Sequence, residues 1–283
     1  MIMGKDTIRT QIEKVYLQNY CGCVLCQLCN KKIYRTRKTL KPCCKHDSDD
    51  MQKQSDNLCE YLGKVVDFIV QNKSPDNSHP IKLAVVGKDP YPTDPIGIPF
   101  AKNSIKDMNK TASGKPLLRG LGIEEKYCEL EASVLDLYDL FLQNGIVFLN
   151  ILYKYIGREI SVKNDKPYLD CANSINHSIL EFSAKIVLCG EAFDGFKIVN
   201  GDNDTILKKK TLYKVYHPSA RKPKKPNQNA SQKEKAKWKA YQKNYSSFWG
   251  KRGALINRIE LDSNGMLHKA IENINNELSN LLR

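Results

Sequence analysis

The stretch Ile81-Lys82-Leu83-Ala84-Val85-Val86-Gly87-Lys88-Asp89-Pro90-Tyr91-Pro92 decides the fold. Its first half is a short apolar run, rich in β-branched residues and without clean alternation. That composition suits a strand covered on both faces, as in a parallel sheet. Its second half turns polar and proline-rich, so the strand over Ile81–Val86 ends in a rigid turn. Three further runs of the same kind follow, at Ile146–Leu149, Ile186–Cys189 and Leu212–Tyr216. Helical patterns lie between them, near 133–143, 168–182 and 191–199. Ahead of the first strand, Leu58, Leu62, Val65, Val66 and Ile69 predict an amphipathic helix over 58–72, which Ser74-Pro75-Asp76-Asn77 breaks. Leu267, Ile271, Ile274, Leu278 and Leu281 predict a last helix over 266–282. Strands alternating with helices imply an α/β fold: a three-layer α/β/α domain with a central four-stranded parallel sheet.

The chain has 283 residues, enough to bury a core without disulfides. Residues 1–57 differ from the rest. They hold six of the ten cysteines, a basic stretch from Lys31 to Lys41, and an acidic stretch from Asp47 to Asp56. They read as a Cys-rich, partly disordered extension ahead of a catalytic domain spanning 58–283. No apolar run is long enough to cross a bilayer, and the first ten residues lack the apolar core of a secretory signal. The expectation is an intracellular protein with no membrane association. Lys and Arg number 45 against 31 Asp and Glu, a net charge of +14, which favours a polyanionic partner over a merely solvated surface. Between Arg221 and Lys239 there are eight Lys and Arg and one Glu. That run reads as an exposed basic loop or a frayed helix, either solvated or set against a DNA backbone.

Ligands of parallel α/β sheets bind beyond the carboxyl ends of the strands. The first predicted strand is followed by Lys88, Asp89 and Tyr91, then Phe100. The second is followed by Asn150, the third by Gly190 and Glu191, and the fourth by His217, Pro218, Ser219, Ala220 and Arg221. Taken singly, the Asp is a turn former, the Asn a cap, the Gly a packing residue and the His a structural one. Together they bring an acid, an amide, a flexible backbone and an imidazole to one face of one sheet.

In that arrangement the sequence resembles the first family of the uracil-DNA glycosylase superfamily. Gly87-Lys88-Asp89-Pro90-Tyr91 resembles the family's water-activating loop, Phe100 its uracil-stacking aromatic, and Asn150 its uracil-reading amide. Gly190 falls where the family's minor-groove loop belongs. His217-Pro218-Ser219 resembles the loop carrying the catalytic histidine. The matched span runs from about Leu58 to Ser247, and its departures lean toward the poxvirus-like branch: Lys88 for the usual Gln, Pro92 for the usual His, Glu191 for the usual Ser, and Arg221 for the wedging Leu.

The resemblance implies a hydrolase for base excision repair of DNA damage, cleaving the N-glycosidic bond of a flipped-out uracil and leaving an abasic site. Asp89 and His217 would be catalytic, with Lys88, Tyr91, Phe100 and Asn150 around the uracil, and Gly190, Ser219 and Arg221 on DNA. The partner would be uracil-containing DNA, single- or double-stranded, in the nucleus or at a cytoplasmic viral replication site. No cofactor would be required for catalysis. A scaffold of the same fold, serving a replication or processivity partner with slow or dispensable catalysis, is the alternative, kept open by Lys88, Pro92 and Glu191.

The cysteine cluster stands apart from this. Cys26-x2-Cys29, thirteen residues, then Cys43-x2-His46 has zinc-ligand spacing, with Cys21, Cys23 and Cys44 as spare ligands. Reduced thiols without metal are the alternative, and an iron–sulfur cluster ranks below both.

Overall fold

The computed structural model describes residues 2–13, 48–88, 95–153, 166–201, 205–208, 211–220, 223, 225–260 and 265–282. Four strands form one parallel sheet: β1 (Leu83–Gly87), β2 (Ile146–Asn150), β3 (Ile186–Cys189) and β4 (Leu212–Val215), in the order β2-β1-β3-β4. Every pairing is parallel, with Gly87 opposite Asn150, Val86 opposite Leu188, and Cys189 opposite Val215. The first three strands are buried along their whole length, which is why they are nearly continuous Val, Ile, Leu and Phe. β4 is an edge strand and is half-exposed. Its Lys214 lies over the Phe193 ring at 4.0 Å and pairs with Asp194 at 3.7 Å, placing charge on the open edge. At the other edge, the Tyr61 hydroxyl accepts from the Phe148 N–H at 2.8 Å and satisfies a ladder donor that has no strand beside it among the described residues.

Helices cover both faces. They are α1 (Lys5–Glu13), α2 (Ser48–Asn72), α3 (Ile105–Asn109), α4 (Gly114–Leu121), α5 (Val134–Gln143), α6 (Lys166–Leu180), α7 (Ala192–Asn200), α8 (Gln232–Trp249), α9 (Ala254–Ile259) and α10 (Met266–Asn280). The architecture is the three-layer α/β/α one expected, with the strands within two residues of their predicted bounds. The first strand is displaced most: Ile81 forms only an isolated bridge to Ser183, and the ladder begins at Leu83.

Two differences matter for the site. The helix predicted over 58–72 begins at Ser48, and α1 packs against it and against α6. Ile8 and Ile12, one turn apart, are each 1% exposed, and Lys5 pairs with Asp67 at 2.5 Å. Packed structure therefore does not start at Leu58: parts of 1–57 belong to the same core as the sheet. The second difference is α8. The basic run expected to be a loop or frayed helix folds from Gln232 onward into a regular helix. It starts with a capping box in which Ser231 Oγ accepts from the Glu234 N–H at 3.2 Å and Glu234 accepts from the Ser231 N–H at 2.9 Å. Tyr241, Phe248 and Trp249 bury its inner face.

Candidate active site at the carboxyl ends of the strands

The order β2-β1-β3-β4 reverses direction between β1 and β3, so the crevice for a ligand opens beyond Gly87 and Cys189. Gly87, the last residue of β1, is the floor of that crevice. A Cβ built there would lie 2.6 Å from Asn150 Oδ1 and 2.6 Å from Phe100 Cζ. Two side chains from different elements thus converge over a backbone without a side chain of its own, which only Gly allows.

Phe100 reaches this point through a local contortion. It has φ 60°, the left-handed region, and among the described residues no other non-glycine does. Such a residue costs roughly 1–3 kcal/mol and persists only where its surroundings fix it. Three contacts do so. The Tyr138 hydroxyl donates to Pro99 O at 2.5 Å, Asn57 Nδ2 donates to Ile96 O at 3.0 Å, and Gly97 lies so close to the backbone of Gln54 that a Cβ would come within 2.1 Å of its carbonyl oxygen. The Phe100 ring meets Phe148 edge-on at 6.3 Å. Residues 54–57, placed by sequence in the extension, therefore hold the turn that carries the Phe100 ring.

Asn150 ends β2 and is 1% exposed. Its backbone carbonyl accepts from Asn176 Nδ2 at 2.9 Å, and the Tyr153 hydroxyl in turn donates to Asn176 Oδ1 at 2.5 Å. Its own side-chain Nδ2 is buried with no hydrogen-bond partner among the described residues. A buried amide donor left unmade costs about 1–3 kcal/mol, so an orphan at a strand end points to an acceptor supplied by a ligand.

His217 follows β4 and lies against Phe100, with ring centroids 5.7 Å apart and planes at 21°. The Ser219 N–H donates to His217 Nδ1 at 3.2 Å, and the Ser219 hydroxyl lies 2.7 Å from the same nitrogen. A backbone N–H can only donate, so Nδ1 is the acceptor and the ring proton sits on Nε2. Burial, and then the positive charge of Lys88, push the His217 pKa down to about 4, so the ring is neutral at pH 7. Gly190 at φ 60° comes close enough that a Cβ would stand 3.0 Å from His217 Cβ. Lys88, mostly buried, pairs with Glu191 at 3.2 Å and so links the ends of β1 and β3 across the crevice.

The structure thus brings together Lys88, Phe100, Asn150, Gly190, His217 and Ser219. Asp89, Tyr91 and Arg221 lie outside the described residues, as do Cys26, Cys29, Cys43 and His46. No group of three or more His, Cys, Asp or Glu is arranged for a metal among the described residues. No described helix is long and apolar enough to cross a membrane.

Sequence reasoning missed the support of the His217 loop. Four side chains of α8 bond to its backbone. Trp249 Nε1 donates to Tyr216 O at 2.8 Å, and Asn244 Oδ1 accepts from the Tyr216 N–H at 3.0 Å. The Tyr245 hydroxyl donates to Pro218 O at 2.7 Å, and the Tyr241 hydroxyl to Ala220 O at 3.1 Å. The signal was present as Tyr241, Tyr245, Phe248 and Trp249 at helical spacing, at the end of a lysine-rich run.

No protein-family model and no curated protein matches the sequence. Among solved structures, the chain is similar to the wild-type UNG crystal structure from Nitratifractor salsuginis, at 12% identity and a TM-score of 0.36, over 62% of this chain and 78% of that one. So low a likeness carries no argument about activity, which rests on the geometry of the site.

Proposed function

We propose that this chain is a uracil-DNA glycosylase. The observation that carries the reading is the orphaned Asn150 amide, buried beside the Phe100 ring and a neutral His217 whose proton is on Nε2. One planar ring could stack on Phe100 while meeting an amide that has both a donor and an acceptor. In uracil, O4 would accept from Asn150 Nδ2 and N3–H would donate to Oδ1. Cytosine presents the opposite polarity at both positions, and a mismatch of buried hydrogen bonds discriminates far better than one methyl group does. Tyr91 would occupy the space of a thymine methyl.

The target must leave the helix first, because its glycosidic bond is unreachable in the stack. As the C1′–N1 bond breaks, its electron pair stays on uracil and positive charge develops on the sugar. The water oxygen then bonds to C1′, and the water's proton passes to the Asp89 carboxylate and on to solvent. Asp89 follows Lys88, whose carbonyl accepts from the Leu152 N–H at 2.8 Å; that bond fixes the point from which the loop departs. His217 would donate its Nε2–H to uracil O2. A neutral N–H aimed at a developing anion stabilises it by a hydrogen bond while keeping its proton. Lys88 adds positive charge on the same side.

The Lys88–Glu191 pair also favours a second reading, a DNA-bound scaffold with little chemistry, because Glu191 sets a carboxylate where DNA phosphate would approach. One experiment separates the two. Oligonucleotides carrying uracil, with thymine and cytosine controls, are incubated with the wild-type protein and Asp89→Asn, and abasic sites are counted. Abasic sites in uracil DNA alone, with at least about a hundredfold slower release in Asp89→Asn, support the glycosylase. Tight binding without abasic sites supports the scaffold, and full release by Asp89→Asn removes the proposed mechanism.

A further inference from the structure

We propose that α8 is a second surface for DNA, one that grips the sugar–phosphate backbone next to the excision site. The inference rests on the glycosylase reading only for the identity of the polyanion. The helix carries five lysines and one glutamate. The glutamate is Glu234, spent in the capping box, where hydrogen bonds from Ser231 hold its carboxyl below the usual range. Lys233, Lys235, Lys237, Lys239 and Lys243 are all exposed. Lys235 uses one of its donors on Gln228 O at 2.8 Å.

Position on the helix separates two jobs. Tyr241, Phe248 and Trp249 point inward, and Tyr241, Asn244, Tyr245 and Trp249 hold the His217 loop. Lys235, Lys239 and Lys243 recur every fourth residue on the side away from Tyr241 and Phe248. At 1.5 Å rise per residue they form a stripe about 12 Å long. On an axial rise of about 3.4 Å per nucleotide, that stripe spans three to four phosphates. The spacing suits a chain of evenly spaced anions better than a single compact one. The inner face of the same helix is bonded to the loop carrying His217 and Ser219. A strand lying on the lysine stripe would therefore be held at a fixed distance from the pocket.

The test is the salt dependence of binding. A labelled single-stranded oligonucleotide without uracil is titrated with the wild-type protein and with the triple variant Lys235→Gln, Lys239→Gln and Lys243→Gln over a range of salt concentrations. Each lost phosphate contact lowers the slope of log K against log salt by about 0.7 on single strands, so the triple variant should lose about 2 from the slope. Lys239→Gln alone should lose about 0.7. A charge-matched variant, Lys73→Gln, Lys115→Gln and Lys269→Gln, removes three exposed lysines carried elsewhere and should keep the wild-type slope. An unchanged slope in the α8 variants overturns the proposal, and so does an equal loss in the charge-matched variant. Gln has nearly the helix propensity of Lys, so α8 should persist, and circular dichroism checks that it does. Because the readout uses DNA without uracil, failure of uracil release would sink the glycosylase reading and leave this test intact. Uracil release with an unchanged slope would sink the helix surface alone.

Discussion

The floor and the rim of the site are built by different physics. The floor is Gly87, Phe100 and Asn150, seated on strands that are buried throughout and turned by residues packed into the core. Its geometry follows from steric exclusion, because nothing larger than Gly fits between Phe100 and Asn150. The rim is the His217 loop and the Lys88–Glu191 pair. It hangs on hydrogen bonds from side chains far along the sequence and on an ion pair whose Glu191 end is open to water. A floor of that kind should fail abruptly when its shape changes. A rim held by separate polar contacts should weaken one contact at a time.

The sharpest way to break the comparison is Gly87→Ala. The added methyl meets Asn150 Oδ1 and the Phe100 ring at once, both well inside contact distance. Overpacking of a buried position costs about 1–3 kcal/mol, and on the proposed function, displacing the two groups assigned to the base by about an ångström should cut single-turnover uracil release at least about a hundredfold. Chemical denaturation and abasic-site formation read the two effects separately. If Gly87→Ala releases uracil at the wild-type rate, Asn150 and Phe100 do not contact the base together.

The same contrast explains what the sequence disclosed. The strand-end residues of both were legible because they lie where unbroken apolar runs stop: a strand end is marked by the residue that interrupts it, and Gly87, Asn150, Gly190 and His217 are each such a residue. The four-stranded sheet followed from the same runs. The bonds that hold the rim were not legible, because they join residues 21 to 33 positions apart through backbone carbonyls and amides that carry no sequence signature. Lysine composition hid α8, since its apolar face is narrow and starts only at Tyr241. α1 escaped notice because its buried face amounts to Ile8 and Ile12, one turn of a short helix, and its partners come after residue 47. The Phe100 turn depends on Gln54 and Asn57, which composition had assigned to the extension.

On the rim, the next effect in size is a pH dependence. His217 titrates near 4 when folded and near 6.5 when unfolded. Between those values the unfolded chain holds a proton that the folded one lacks, so the His217 contribution to stability falls as pH drops from about 6.5 to about 4 and is level on either side. His217→Leu removes that term. Because the ring is partly open to solvent, the variant should gain on the wild type by on the order of 2 kcal/mol between pH 7 and pH 4. Urea denaturation at a series of pH values measures the difference. Parallel pH curves would mean that folding leaves the His217 pKa where it is in the unfolded chain, and that burial beside Lys88 does not hold the ring neutral down to pH 4.

The smallest effect should come from a single clasp on the loop. Tyr245→Phe keeps the ring, which stacks on Tyr241 at 5.2 Å, and removes only the hydroxyl that donates to Pro218 O. One such bond contributes about 1 kcal/mol, and three other α8 side chains still hold the loop, so the protein stays folded. If the clasp serves position as well as stability, the loss shows in the chemistry. Single-turnover release at saturating DNA should fall about fivefold, the rate equivalent of about 1 kcal/mol. Binding to DNA without uracil should stay as it was, because the hydroxyl faces Pro218 and not the lysine stripe. A stability loss with an unchanged rate would reduce Tyr245 to a structural bond. A rate loss as large as that of Gly87→Ala would erase the distinction between rim and floor, since one polar contact would then govern the site as strictly as a steric one.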